Sequence, residues 1–389
     1  MTALVMSAKA GFAVSTRYLR HLGPVKLVIF AALAAFAAVG PETRAILAAL
    51  LSDAYLQVSV FVAATLGVIY GVEHVTKTDV SAFLDRHRRW QVPLAALLGA
   101  LPGCGGAVAV VTQYVRGHIT FGALVAVLTA TMGDAAFLLL AAEPMTGVAV
   151  YAVGAVVGMI SGTVINATHS PDFMRVVRPD AAYPPSQEHT ERHHPLRRVW
   201  LVLFVPGLIL GTLDLMTVDT DALFGALGAY GPTQVLGVTG ALLAFAMWTF
   251  DPDLRFDPGV APCGGPVTRM IDTTNFVTVW VIVGFMAYEL GVHLTGIDLA
   301  GLFTTWGPLV PLLAVVVGFL PGCGPQIVVT TLYISGAMPL SGQLGNALSN
   351  DGDALFPALA IAPRAAVVAT LYSAVPALIV AYGYFALFE

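Results

Sequence analysis

Apolar stretches of about twenty residues, each with few or no charges, recur along almost the whole chain, and this restricts the fold more than any single motif. They lie near 25–40, 54–74, 91–115, 120–142, 146–167, 199–216, 231–250, 275–294, 307–333, 340–361 and 364–387. About twenty apolar residues carry a helix across a hydrocarbon core ~30 Å thick. The stretches are continuous and do not alternate in ~10-residue units, which predicts helices and not a β-barrel. Only 11% of the 389 residues are charged, against roughly 25% in a soluble domain. That is too little charge to cover a water-facing surface. The expectation is an all-α polytopic membrane protein whose first partner is the lipid bilayer.

The polar interruptions divide the chain. Residues 1–24 carry Lys9, Arg17 and Arg20 without a small-residue cleavage site, and read as a retained cytoplasmic segment. Residues 168–198 hold Pro171, Pro179, Pro184, Pro185 and Pro195 among histidines and arginines. This stretch reads as a cytoplasmic linker. A first transmembrane repeat is expected over 25–167, a connecting helix over 199–216 and a second repeat over 231–389. Three cysteines are too few and too odd in number for a disulfide scaffold. No basic stripe with interleaved aromatics points to nucleic acid.

The two halves are related. A shift of 219 superposes Leu101-Pro102-Gly103-Cys104-Gly105 on Leu320-Pro321-Gly322-Cys323-Gly324 without a gap. The same shift pairs Tyr114 with Tyr333, Gly133-Asp134-Ala135 with Gly352-Asp353-Ala354, Phe137 with Phe356, and His74 with His293. Rare residue types in register mark a duplication.

Positive charge tests the topology, because Lys and Arg in short loops favour the cytoplasm. If all eleven segments span, nine of the 18 basic residues fall on each side, which is no bias. If the two cysteine segments are instead re-entrant hairpins, every basic residue except Arg44 is cytoplasmic, 17 against one. The hairpins then enter from opposite sides. The fold expected is two inverted repeats with broken or re-entrant helices at the L-P-G-C-G motifs, with proline-kinked spanning helices as the alternative. The N-terminus and the 168–198 loop would be cytoplasmic in a bacterial inner membrane.

The breaks carry the chemistry. Proline removes a backbone donor and glycine relaxes the chain, so the helix opens there. Open backbone at membrane depth survives only where protein covers it or a cavity borders it. Cys104 and Cys323 beside the breaks are candidate soft ligands, or small apolar residues at a kink. Asp134 and Asp353 are intramembrane carboxylates, which mark a site by default. Asn346, Asn350 and Asp351 crowd the second of them, and a continuous helix would set Asn346 and Asn350 on one face with Asp353 a turn beyond. Thr112, Gln326 and Thr331 follow the breaks and either complete a coordination shell or cap the new helix ends. Glu73 with His74, and Glu289 with His293, lie at span ends, where protonatable pairs suit proton coupling or ion entry. The linker residues His169, His189, His193 and His194 lack fixed zinc spacing. Cys263, in a polar loop over 251–274, reads either as part of a turn or as a third thiol.

Several classes are excluded or set aside. The chain holds no G-x-x-x-x-G-K-[ST], no G-x-S-x-G and no H-E-x-x-H, and no enzyme activity is expected. The rivals are an intramembrane aspartyl protease, which lacks its Tyr-Asp step here, and a thiol redox protein pairing Cys104 with Cys323.

The paired L-P-G-C-G breaks, each followed by a Gly-Asp-Ala segment, and the histidine-bearing central loop resemble the putative ten-transmembrane heavy-metal exporter family. That family is grouped by name with ArsP-like arsenical permeases, and some members are labelled manganese transporters. The resemblance covers residues 25–387. It implies efflux of a metal or metalloid by a secondary transporter, with Cys104, Cys323, Asp134 and Asp353 at the substrate site. The expected cargo is a small inorganic ion such as Mn²⁺, bound also by Asp351 and Asn350, with alternating access around a midplane site. The alternative is an arsenical or small-anion permease. No cofactor beyond the transported ion is expected, and a homodimer is compatible with the sequence.

Overall fold

The computed structural model describes residues 24–76, 86–101, 103–170, 172–175, 195–216, 218–250, 265–295 and 307–389, without the side chains of 24, 195 and 292–295. The segment 1–23, most of the linker, Cys263 and the histidines at 189, 193 and 194 lie outside these residues.

Every regular element among them is helical. The first half runs α1 (Pro24–Val39), α2 (Pro41–Asp53), a π-helical turn (Ala54–Ser59) and α3 (Val60–Thr76). It continues with α4 (Arg88–Gly99), α5 (Gly105–Val115), α6 (Phe121–Ala130), α7 (Ala135–Ala142) and α8 (Pro144–Thr168). Next come α9 (Pro195–Leu215), α10 (Pro232–Phe250) and α11 (Pro266–Thr295). The second half then runs α12 (Val310–Gly318), α13 (Cys323–Ile334), α14 (Leu340–Ser349), α15 (Leu355–Ile361) and α16 (Pro363–Phe388). Six helices among the described residues are long and apolar enough to cross a membrane. A seventh crossing results if α6 and α7, bent by 40°, count as one span.

Helix ends recur at the 219 offset, for example α5 with α13 and α6 with α14. Equivalent residues also touch each other. Ser59 Oγ lies 2.6 Å from Thr278 Oγ1, and Cys104 Sγ lies 3.4 Å from Cys323 Sγ, each pair 219 apart. Contact of a residue with its own counterpart is what a two-fold axis produces.

The segment 88–115 folds back on itself. Gln91, in the first turn of α4, donates to the His118 carbonyl at 3.0 Å and accepts from the Thr120 amide at 3.0 Å. Both ends of the segment therefore sit together. Helices of 11 and 12 residues are each only about 16–18 Å long, about half the length a bilayer crossing needs. In the second half Val310 and Met338 share one apolar cluster, so the segment 310–334 closes in the same way.

Helix α8 is a yardstick for the two hairpins. Asn166, near its C-terminus, donates to Thr120 Oγ1 at 3.0 Å and accepts from the Gly122 amide at 3.2 Å, at the base of the first hairpin. Glu143, immediately before its N-terminus, accepts from the Tyr333 hydroxyl at 2.9 Å, at the base of the second. The two bases thus lie at opposite ends of a 25-residue helix, about 37 Å apart along its axis.

One expectation changes here. Each half carries two breaks, not one. Helix α6 ends at Thr131, whose φ/ψ of −83°/136° is extended, and α14 ends the same way at Asn350, at −80°/121°. Gly133 and Gly352 follow with φ of +53° and +55°, a left-handed conformation that glycine adopts without the Cβ penalty. Asn346 therefore lies in α14 and Asn350 caps its end in an extended conformation, so no helix face continues from them to Asp353.

Candidate functional site

Four breaks converge. The two hairpin turns supply Cys104 and Cys323, and the two mid-span breaks supply Asp134 and Asp353. One ligand atom from each of these residues lies within 4.8 Å of every other. All four side chains are buried, at 1, 2, 3 and 0% exposure for Cys104, Cys323, Asp134 and Asp353. Each half contributes one sulfur and one carboxylate.

Local conformation explains the convergence. Cys104 caps α5 and Cys323 opens α13 after Gly322, whose φ is +113°. Asp134 caps α7. The N-termini of α5, α13 and α7 thus turn their positive ends toward the cluster, where they support anionic ligands. Gly133 holds the walls together, since a Cβ there would sit 2.6 Å from Cys323 Sγ.

The hydrogen bonds are unequal. Asp353 Oδ2 accepts from both thiols, at 3.3 Å from Cys104 and 3.0 Å from Cys323. Neither oxygen of Asp134 has a partner of ordinary geometry, although the Cys323 thiol lies beside it. Asp353 Oδ1 also has none. An intramembrane carboxylate without a partner costs several kcal/mol unless a cation or proton meets it. A tetrahedral ion ~2.3 Å from sulfur and ~2.1 Å from oxygen spaces its ligands about 3.4–3.8 Å apart. Three of the six separations, at 3.0–3.4 Å, fall at or just below the lower end of this range, and all six stay within 4.8 Å, so small side-chain shifts would seat such an ion.

The other candidates fall into place around this cluster. Gln326 is fully buried with neither amide atom paired, and its Oε1 lies 3.5 Å from where a Cβ on Gly133 would be. Asn350 is a brace: its Nδ2 donates to the Gly322 carbonyl at 3.4 Å and its Oδ1 accepts from the Gly352 amide at 2.6 Å. Asn346 donates to the Ala314 carbonyl at 3.0 Å. Asp351 accepts from the Thr370 hydroxyl and is not one of the four clustered residues.

The remaining candidates lie away from it. Thr112 and Thr331 each donate to the carbonyl four residues back, at 2.8 Å, two turns along from the breaks. Glu73 pairs with Arg269 at 3.3 Å, His74 is exposed and Glu289 is half-buried. The side chain of His293 lies outside the described residues.

Sequence reasoning missed Glu143 and Gln343, and used Tyr333 only as a mark of the duplication. For Glu143 and Gln343 the available signal was asymmetry, since the 219 shift sets them opposite Ala362 and Leu124.

Residues 42–388 match the model of the family described as "Putative, 10TM heavy-metal exporter". No curated protein matches the chain. No solved structure matches it either.

Proposed function

The chain belongs to that family of putative ten-transmembrane heavy-metal exporters, and from this premise we propose that it carries a thiophilic divalent ion held by Cys104, Cys323, Asp134 and Asp353. The observation that carries the reading is the four-residue cluster, two sulfurs and two carboxylates within 4.8 Å of one another. Two thiolates and two carboxylates suit Zn²⁺ or Cd²⁺ in four-fold coordination. Mn²⁺ prefers six oxygen or nitrogen ligands, so the cluster favours the softer ions.

The transport reading is secondary and alternating. The halves would be related by inversion, which the placement of the hairpin bases at opposite ends of α8 supports. Cargo at the meeting point of opposed hairpins is reached from each side in turn as one half moves against the other. An enzyme is disfavoured: a peptide substrate needs access to two carboxylates, whereas Asp134 and Asp353 are sealed among thiols.

Zn²⁺ titration of the purified protein and Zn²⁺ uptake into everted vesicles test this reading. Cys104→Ser and Asp353→Asn should each weaken Zn²⁺ binding at least tenfold, about 1.4 kcal/mol, and reduce uptake in parallel. Unchanged binding in both variants would sink the proposal. The contact between the two thiols favours one second reading, a trivalent arsenical bridged by both sulfurs. An Asp134→Asn, Asp353→Asn double variant should retain arsenical transport but lose Zn²⁺ transport.

A further inference from the structure

The two return limbs, α5 and α13, are unlike where the duplication predicts likeness. Cys323, Gln326, Thr330 and Tyr333 are spaced three, four and three residues apart, which places them on one stripe of α13. The stripe is polar along its whole length, about 15 Å from first to last. Its counterparts on α5 are Cys104, Ala107, Val111 and Tyr114, apolar in the middle.

The polar stripe faces a matching one. Gln343 of α14 donates to Thr330 Oγ1 at 3.1 Å, and both are fully buried. Gln343 Oε1, Asn346 Oδ1 and both amide atoms of Gln326 remain unpaired in this fully buried seam. Each unpaired polar atom costs about 1–3 kcal/mol, a cost the first half avoids with Ala107, Val111 and Leu124. At the outer end Tyr333 donates to Glu143 at 2.9 Å, and Thr146 donates to the same oxygen at 2.8 Å. Glu143 is half-buried, so the file runs from the cluster to a carboxylate at the surface.

The opposite sides of the two limbs also differ. All eleven residues of α5 are buried, and a Cβ on Gly105 would meet Thr65 Oγ1 at 2.2 Å and the Phe61 carbonyl oxygen at 2.7 Å on α3. On α13 the equivalent side, Gly324, Ile327 and Thr331, is half-buried or exposed. A Cβ on Gly324 would find only Tyr288, at 3.5 Å. Limb α5 is clamped, and limb α13 has room to shift.

The geometry points to the α13 stripe as the route by which a divalent cation travels between the four-residue site and the surface at Glu143, with α13 as the limb that moves. The side-chain oxygens of Gln326, Thr330, Gln343, Asn346 and Tyr333 replace water around the ion in transit, and Glu143 gathers it at the mouth. The charge count sets Glu143 on the side opposite the basic loops, so for an exporter this is the way out.

The inference rests on the cluster as the cargo site, and rate separates the two ideas. Stopped-flow exchange of Zn²⁺, with the full-length protein in detergent, should slow at least tenfold in both directions in Gln326→Leu and Glu143→Gln. In Glu143→Gln, far from the cluster, the equilibrium Zn²⁺ affinity should stay within about twofold of wild type. Gln326→Glu, which keeps a polar oxygen, should exchange faster than Gln326→Leu, and Thr239→Val on α10 should match wild type. If Gln326→Leu and Glu143→Gln exchange Zn²⁺ at the wild-type rate, the route is wrong and the cluster stands. If wild-type protein binds no Zn²⁺, the cluster reading fails and the route fails with it. Should Gln326→Leu not fold, Thr330→Val carries the same expectation and the same refutation.

Discussion

Cys104 Sγ and Cys323 Sγ, 219 residues apart in the chain, lie 3.4 Å from each other in the buried interior. A disulfide needs 2.05 Å between sulfurs, so these are two thiols in contact. They join the two halves at the site, beside the 3.3 Å contact of Cys104 with Asp353.

That contact has a redox consequence. Diamide, a two-electron oxidant, takes the two thiol hydrogens and leaves one S–S bond. Treated protein should yield a crosslinked peptide pair containing both cysteines, and Zn²⁺ binding should be lost until a reductant is added. Zn²⁺ present beforehand should protect the thiols. Free thiols after prolonged diamide treatment would show that the sulfurs cannot approach in solution.

The two carboxylates predict opposite effects on stability in metal-free protein. Asp134 has no hydrogen bond of ordinary geometry, whereas Asp353 accepts from both thiols. Asp134→Asn replaces a buried carboxyl that has no partner of ordinary geometry and should raise the melting temperature slightly. Asp353→Asn leaves the thiols only a neutral amide oxygen, a weaker acceptor, and should lower it, with a loss of stability of about 1–3 kcal/mol. Both variants should lose the further rise that Zn²⁺ gives wild type. Thermal unfolding with and without Zn²⁺ reads all four values, and a destabilised Asp134→Asn would contradict the assignment.

How much of this was legible beforehand follows from where the information sits. The 219 offset, the Pro-Gly-Cys-Gly openings and the paired aspartates are local patterns of rare residues, and they name the four clustered side chains. The expectation of re-entrant hairpins came from the distribution of arginines, because Lys and Arg in short loops favour the cytoplasm. The second break was not, because Ala-Thr-Met-Gly-Asp-Ala reads as one apolar run and only the positive φ of Gly133 reveals the opening. Nor was the Tyr333–Glu143 contact, which joins residues 190 apart and lacks a counterpart in the other half. Symmetry finds what the halves share; the polar stripe of α13 is what they do not.

The two left-handed glycines at the mid-span breaks separate backbone strain from crowding. Gly133 and Gly352 have nearly equal φ, +53° and +55°, so alanine adds a similar backbone cost of about 1–2 kcal/mol at each. Their surroundings differ. A Cβ on Gly133 would press on Cys323 Sγ at 2.6 Å, while one on Gly352 would find Cys104 Sγ at an ordinary 3.8 Å. Gly352→Ala should therefore lower stability but keep Zn²⁺ affinity within a few fold. Gly133→Ala should cost similar stability and also reduce affinity at least tenfold, because the sulfur must move. Equal affinity losses in the two variants would show that the turn conformation, and not the room around Cys323, sets the ligand geometry.

Accessibility tests the difference between the limbs. Thr331 on α13 is exposed and its counterpart Thr112 on α5 is buried. In Thr331→Cys and Thr112→Cys proteins, a small maleimide should label position 331 readily and position 112 at least tenfold more slowly, read by peptide mass spectrometry. The clamp on α5 makes the slow rate dependent on Gly105. Adding Gly105→Ala pushes a methyl against Thr65 and the Phe61 carbonyl oxygen, so α5 must back away from α3 and position 112 should label faster. Gly324→Ala has space beside Tyr288 and should leave labelling at 331 unchanged. If 112 and 331 label equally in the parent proteins, the limbs are equivalent in the membrane and α13 has no special claim to be the moving one.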